Sequence, residues 1–102
     1  MKGVFMKPIQ EEEITDLADL FKIFSDSTRL RILFSLMDGE KNVTELTQDL
    51  DMTQSNVSHS LSILKTNKLV KPRRDGKAIY YSLADDHVKT IIAMGRDHIE
   101  EE

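Results

Sequence analysis

A mainly helical fold carrying one small β-hairpin is what this 102-residue sequence predicts, and three observations carry the prediction. Five stretches place apolar residues at helical spacing, most of them opened by an Asp, Ser or Thr suited to capping. Two of these helical stretches are short and separated by about three residues, the form of a helix-turn-helix. After them come two β-prone runs around a single Asp75-Gly76, a preferred hairpin turn.

Taken in order, residues 1–10 read as a flexible arm, and Met1 to Pro8 lack the apolar run of a secretory signal. Glu11 to Phe24 follows as a helix with Ile14, Leu17, Ala18, Phe21 and Phe24 on one side, its acidic first turn suiting the positive end of the helix dipole. Asp26 or Ser27 caps a second helix through Met37, with Leu30, Leu33, Phe34 and Met37 expected to face inward and Gly39 placed to end it. Thr44 is expected to cap a short helix to Leu50, and Thr53 another from Gln54 to about Thr66. Residues 70–83 form the hairpin. A last helix from Asp85 or Asp86 to Glu101 carries Val88, Ile91, Ile92, Gly95 and Ile99 on its apolar side, and Gly95 admits another backbone closely. The first helix is its natural companion in a dimer layer.

Within the helix-turn-helix at 44–66, Val57, Leu61 and Leu64 form the inward stripe. The opposite side presents Gln54, Ser55, Asn56, Ser58, His59, Ser62 and Lys65, a small polar face without acid that can offer hydrogen bonds to base edges and phosphates. Arg73, Arg74 and Lys77 surround the hairpin tip. A basic hairpin directly after a helix-turn-helix is a winged-helix arrangement, with the wing set beside the reading helix. Charge agrees with this placement. From Thr53 to Tyr81 six cations face Asp75 alone, a local +5, whereas the whole chain carries -4 and the remainder therefore -9. An acidic remainder limits indiscriminate attachment to DNA.

Asp85, His87, His98 and Glu101 are the candidate metal ligands, in the pattern Asp-x-His, ten residues, His-x-x-Glu. They use two of three histidines in a chain without cysteine, so a metal held here is held by nitrogen and oxygen. Two histidines eleven residues apart share one side of a helix but lie roughly 16 Å apart along its axis. One helix cannot close such a site. Two copies crossing antiparallel can, with Asp85 and His87 of one chain meeting His98 and Glu101 of the other. Two imidazoles and two carboxylates suit Zn(II), and Co(II) is an acceptable substitute; nickel would ask for further ligands, which only the N-terminal segment is placed to add.

The runs Ser25 to Leu33, Thr44-Glu45-Leu46 and Gln54 to Leu64 resemble the ArsR/SmtB family of bacterial metal-responsive repressors, over nearly the whole chain from about Thr15 to Glu101. The resemblance implies a dimeric winged helix whose apo form represses operons for metal efflux or sequestration and whose DNA complex is weakened by metal. It implies a metal site on the C-terminal helices across the dimer, matched by Asp85, His87, His98 and Glu101. The family's other site type needs cysteines on the first helix of the helix-turn-helix, and Glu45 to Leu50 has none. The family's precedent also implies a hydrogen bond from the spare His98 nitrogen to a backbone carbonyl around Lys68, near the end of the reading helix.

The expectation is therefore a single cytoplasmic domain, not an enzyme: a homodimeric repressor that binds an inverted-repeat operator in double-stranded DNA and is released by Zn(II), with neither membrane nor small-molecule substrate as partner. A repressor of the same fold that senses cobalt, nickel or a non-metal signal is the alternative. A small zinc hydrolase is a distant one, since four protein ligands leave no open position for water and no separate general base is evident.

Overall fold

Gln10 opens the first element of the computed structural model, which describes residues 7–101. Residues 1–6 of the expected arm lie outside the described residues, and Lys7 to Gln10 precede the first helix without regular structure. Helix α1 (Glu11–Phe24) begins with Glu13 Oε1 accepting the Gln10 N–H at 3.4 Å and with three acids in its first turn. None of its residues is buried; it packs against α2 and leaves Ile14, Leu17 and Phe21 exposed.

Helix α2 (Ser27–Ser35) is capped by Asp26, whose Oδ2 accepts the Arg29 N–H at 3.0 Å. It is shorter than the sequence suggested. Leu36–Asp38 tighten into a 3-10 turn that Gly39 ends with φ of 134°. Its inward face also differs: Ile32, Leu33 and Leu36 are buried, whereas Leu30 and Phe34 are exposed. Helix α2 is apolar on more than one side, so periodicity alone does not say which stripe meets the protomer's own core.

Strand β1 (Lys41–Asn42), unforeseen in the sequence, leads into α3 (Val43–Leu50). The cap of α3 is Asn42 and not Thr44. Asn42 Oδ1 accepts the Glu45 N–H at 2.8 Å while Glu45 Oε1 accepts the Asn42 N–H at 2.9 Å, a reciprocal capping box that satisfies two otherwise orphaned donors. Asp51, left-handed at φ of 52°, closes α3, and Thr53 caps α4 (Gln54–Thr66) by accepting the Asn56 N–H at 3.1 Å.

Strands β2 (Val70–Asp75) and β3 (Ala78–Leu83) complete an antiparallel sheet of order β1-β3-β2, three strands where two were expected. Pro72 is tolerated because β2 is an edge. The two-residue loop is Gly76-Lys77 and not Asp75-Gly76, since Asp75 pairs with Ala78; Gly76 at φ of 63° occupies the first central position, where a type II′ turn places glycine. Helix α5 (Asp86–Glu100) then packs on β3. The core, Ile32, Leu33, Leu36, Leu46, Val57, Leu61, Leu64, Leu69, Val70, Val88 and Ile92, lies between α2, α3, α4, the sheet and the first half of α5. The fold is a winged helix-turn-helix.

Candidate functional site

Two short helices and the hairpin build the first candidate surface. Val57, Leu61 and Leu64 fix the roll of α4 by full burial, so Gln54, Ser55, Asn56, Ser58, His59, Ser62 and Lys65 are all exposed. Its first turn holds no acid, and Gln54 to Asn56 sit at the positive end of the helix dipole. Past its end, Lys68 turns left-handed at φ of 63° while the Leu69 N–H donates to the Leu64 carbonyl at 2.9 Å, a Schellman-type closure that swings the chain directly into β2. Reading helix and wing are thus joined by three residues. Their side chains can do what nucleic-acid recognition requires: short donors and acceptors at a groove's depth, cations at its rim.

The three wing cations are not equivalent. Among the described residues no ion pair engages Arg74, Lys77 or Lys65, whereas Arg73 is held at several points. Its Nε donates to Glu40 Oε2 at 3.1 Å and its Nη2 to Glu40 Oε1. Nη1 lies 3.8 Å from Asp75 Oδ2, and the guanidinium sits 5.2 Å from the centroid of Tyr80, its cross-strand partner. The Arg73 hydrogen bonds hold the Glu40 carboxyl below its ordinary value against an opposing desolvation, with the Arg73 charge adding to the lowering; the same hydrogen bonds and charge raise Arg73. Glu40 escaped sequence reasoning because it is 33 residues from Arg73 and carries no motif.

The four candidate metal ligands lie at the two ends of α5. Asp85 is its cap, Oδ1 accepting the Val88 N–H at 3.2 Å, and the same oxygen is 3.6 Å from His87 Nδ1, beyond hydrogen-bonding range. His87 is 92% exposed by side chain, and His98 and Glu101 are exposed at the far end. Among the described residues no cluster of three or more His, Asp or Glu in one protomer can hold a metal. Asp85 and His87 thus lie at one end of α5 and His98 and Glu101 at the other, all four exposed. Among the described residues no hydrogen bond joins the His98 ring to the Lys68 carbonyl.

Helix α5 also carries exposed apolar surface. Met94 and Ile99 on α5 are 63% and 80% exposed, and Gly95 has open space where a Cβ would stand. An open groove of about 1390 Å³ runs between α2 and α5, lined by Leu30, Phe34, Ile91, Ile92 and Ile99, with Arg96 lying 5.2 Å over the Phe34 ring. Among the described residues no helix is long and apolar enough to cross a membrane.

Residues 26–71 match the family model described as bacterial regulatory protein, arsR family. Over 90 residues the chain is 38% identical to the transcriptional repressor SmtB homolog of a Synechocystis species, spanning 88% of this chain and 68% of that one. It is 34% identical over 96 residues to a cadmium resistance transcriptional regulatory protein CadC homolog of Staphylococcus aureus, spanning 93% and 79%. The solution structure of the homodimeric winged helix-turn-helix DNA-binding domain of Mb0332 from Mycobacterium bovis superposes with a TM-score of 0.82 at 27% identity, covering 97% of this chain and 93% of that one.

Proposed function

The chain belongs to the arsR family of bacterial regulatory proteins, and from that premise we propose that it is a single-domain, homodimeric transcriptional repressor whose operator complex is released by a metal ion, Zn(II) first. The observation that carries the reading is the exposed, acid-free face of α4 beside a wing whose Arg74 and Lys77 are unpaired among the described residues. Gln54, Ser55, Asn56, Ser58, His59 and Ser62 read or position on the major groove, and Lys65, Arg74 and Lys77 neutralise phosphates. Two copies joined through α1 and α5 present two reading helices to an inverted repeat with half-sites about one helical turn apart. The homodimeric relative supports that assembly.

Asp85 and His87 of one protomer with His98 and Glu101 of the other form the metal site, two per dimer. The donor set fits zinc: two imidazoles and two carboxylates, all exposed, on the helix expected to cross its symmetry mate. Bound there, the ion supplies a crosslink between the ends of the two α5 helices. DNA release would follow to the extent that these four residues hold the ion more tightly in the dimer arrangement unfit for DNA than in the fit one. A His98 nitrogen left free of the metal then donates to the carbonyl around Lys68, the left-handed residue between α4 and the wing, which links ligation to the pose of the reading helix. Genes of metal efflux or sequestration are the targets that suit such a switch. A second metal, cadmium, is the reading that the cadmium resistance regulatory relative favours.

Anisotropy of a fluorescent operator selected from a randomised duplex pool tests this, with and without zinc, cobalt, nickel or cadmium, for the parent and for His98→Ala. Zinc-induced release in the parent and its loss in His98→Ala are expected. Release by zinc in both would remove His98 from the site, and release by another metal alone would replace zinc.

A further inference from the structure

We propose that Glu40 masks Arg73 in the free protein, so that this wing cation reaches a DNA phosphate only by giving up the Glu40 carboxylate. The proposal rests on the reading of the wing as a DNA-facing element. Three observations carry it. The pair is a two-point fork, with Nε and Nη2 of Arg73 both donating to Glu40, and a guanidinium recognises carboxylate and phosphate with that same planar geometry. Carboxylate and phosphate therefore compete for one set of donors.

The pair is also not required to hold the wing. β1 already ties the hairpin to the helix-turn-helix through Lys41 opposite Tyr81 and Asn42 opposite Tyr80, and β2 and β3 pair along six residues. Lastly, both partners are solvent-accessible, Arg73 at 53% and Glu40 at 38% by side chain, and an exposed pair of this kind is cheap to exchange. Tyr80 keeps the guanidinium over the wing when Glu40 lets go, since its ring contact involves neither carboxylate oxygen. Asp75, 3.8 Å away, is the other acid facing Arg73 and remains in place after the exchange.

A salt titration of DNA binding separates a mask from a strut. Affinity for a fluorescein-labelled duplex of mixed sequence is measured between about 50 and 200 mM salt for the parent, Glu40→Gln, Arg73→Gln and the double variant. On this mixed-sequence duplex Glu40 keeps Arg73 in the parent, which therefore meets the DNA with one phosphate-binding cation fewer; freeing it steepens the slope of log affinity against log salt by about 0.9, so Glu40→Gln loses about 3.5-fold more affinity than the parent across that range while binding more tightly at its low end. In the Arg73→Gln background the Glu40→Gln effect disappears. Weaker binding by Glu40→Gln, an unchanged slope, or an equal effect in both backgrounds overturns the mask. A parent with no salt-dependent DNA binding at all overturns the DNA-binding reading as well. Circular dichroism melts of each variant exclude an effect of unfolding, since both residues lie on the surface.

Discussion

Truncation of Phe21 to alanine should dissociate the dimer without unfolding the protomer. Helix α1 has no buried residue, and Phe21 is 52% exposed on a stripe with Ile14 and Leu17. A phenylalanine side chain has about 200 Å² that docking or folding can cover, so about 100 Å² of Phe21 awaits a partner. At about 25 cal/mol per Å² that surface is worth about 2.5 kcal/mol per protomer. A two-fold interface contains the residue twice, which brings the loss to about 5 kcal/mol before the retained Cβ is discounted. The translational and rotational cost of association is common to parent and variant and cancels. The dimer dissociation constant should therefore rise by roughly three orders of magnitude. Sedimentation equilibrium over a range of protein concentrations reads this directly, with a circular dichroism melt confirming that the Phe21→Ala protomer is folded. A dissociation constant within tenfold of the parent would show that the α1 stripe is covered by something other than a second copy.

Three further outcomes follow from particular contacts. Leu61, 1% exposed at the centre of α4, should cost about 2–5 kcal/mol of unfolding free energy as Leu61→Ala, read from urea denaturation. Asp85→Asn should keep the α5 cap yet weaken metal binding, whereas Asp85→Ala should also destabilise the fold by about 0.5–2 kcal/mol; calorimetry with zinc and thermal melts separate the two roles. Glu40 titrates lower in the folded chain than in the unfolded one, so its pairing with Arg73 contributes stability that is complete above the ordinary 4.5 and is lost as pH falls through the lower folded value. Melting temperatures of the parent and Glu40→Gln should converge in acid and differ at neutral pH; a constant difference down to acid would contradict the pairing.

Much of this fold was legible from local chemistry. The bounds of α1 and α4 follow from an acidic first turn and from Thr53, and α5 starts at its Asp85 cap, because capping and apolar spacing act within a few residues. The misreadings are those where a distant partner decides. β1 is two residues long, with no room for an alternating pattern, and its existence depends on β3. In the same way Asn42 displaces Thr44 as the α3 cap because the strand ends there. Leu30 and Phe34 have the spacing of core residues yet line the groove beside α5. Apolar spacing reports that a face will be covered and not by which chain. The candidate surfaces divide similarly. The exposed face of α4 follows from the burial of Val57, Leu61 and Leu64, whereas the difference between Arg73 and Arg74 rests on an acid 33 residues away.

Asn42 has a consequence for how such a molecule can be regulated. It is at once the last residue of β1, opposite Tyr80, and the cap of α3, so the hairpin and the first helix of the helix-turn-helix share a single residue as their joint. The Leu69 closure after Lys68 ties the second helix to the same sheet from the other side. The two helices of the helix-turn-helix are thus tied to one sheet, at Asn42 on one side and at Leu69 on the other. In the proposed dimer, a signal arriving through the C-terminal helices would act on the angular phase between the two reading helices along the duplex.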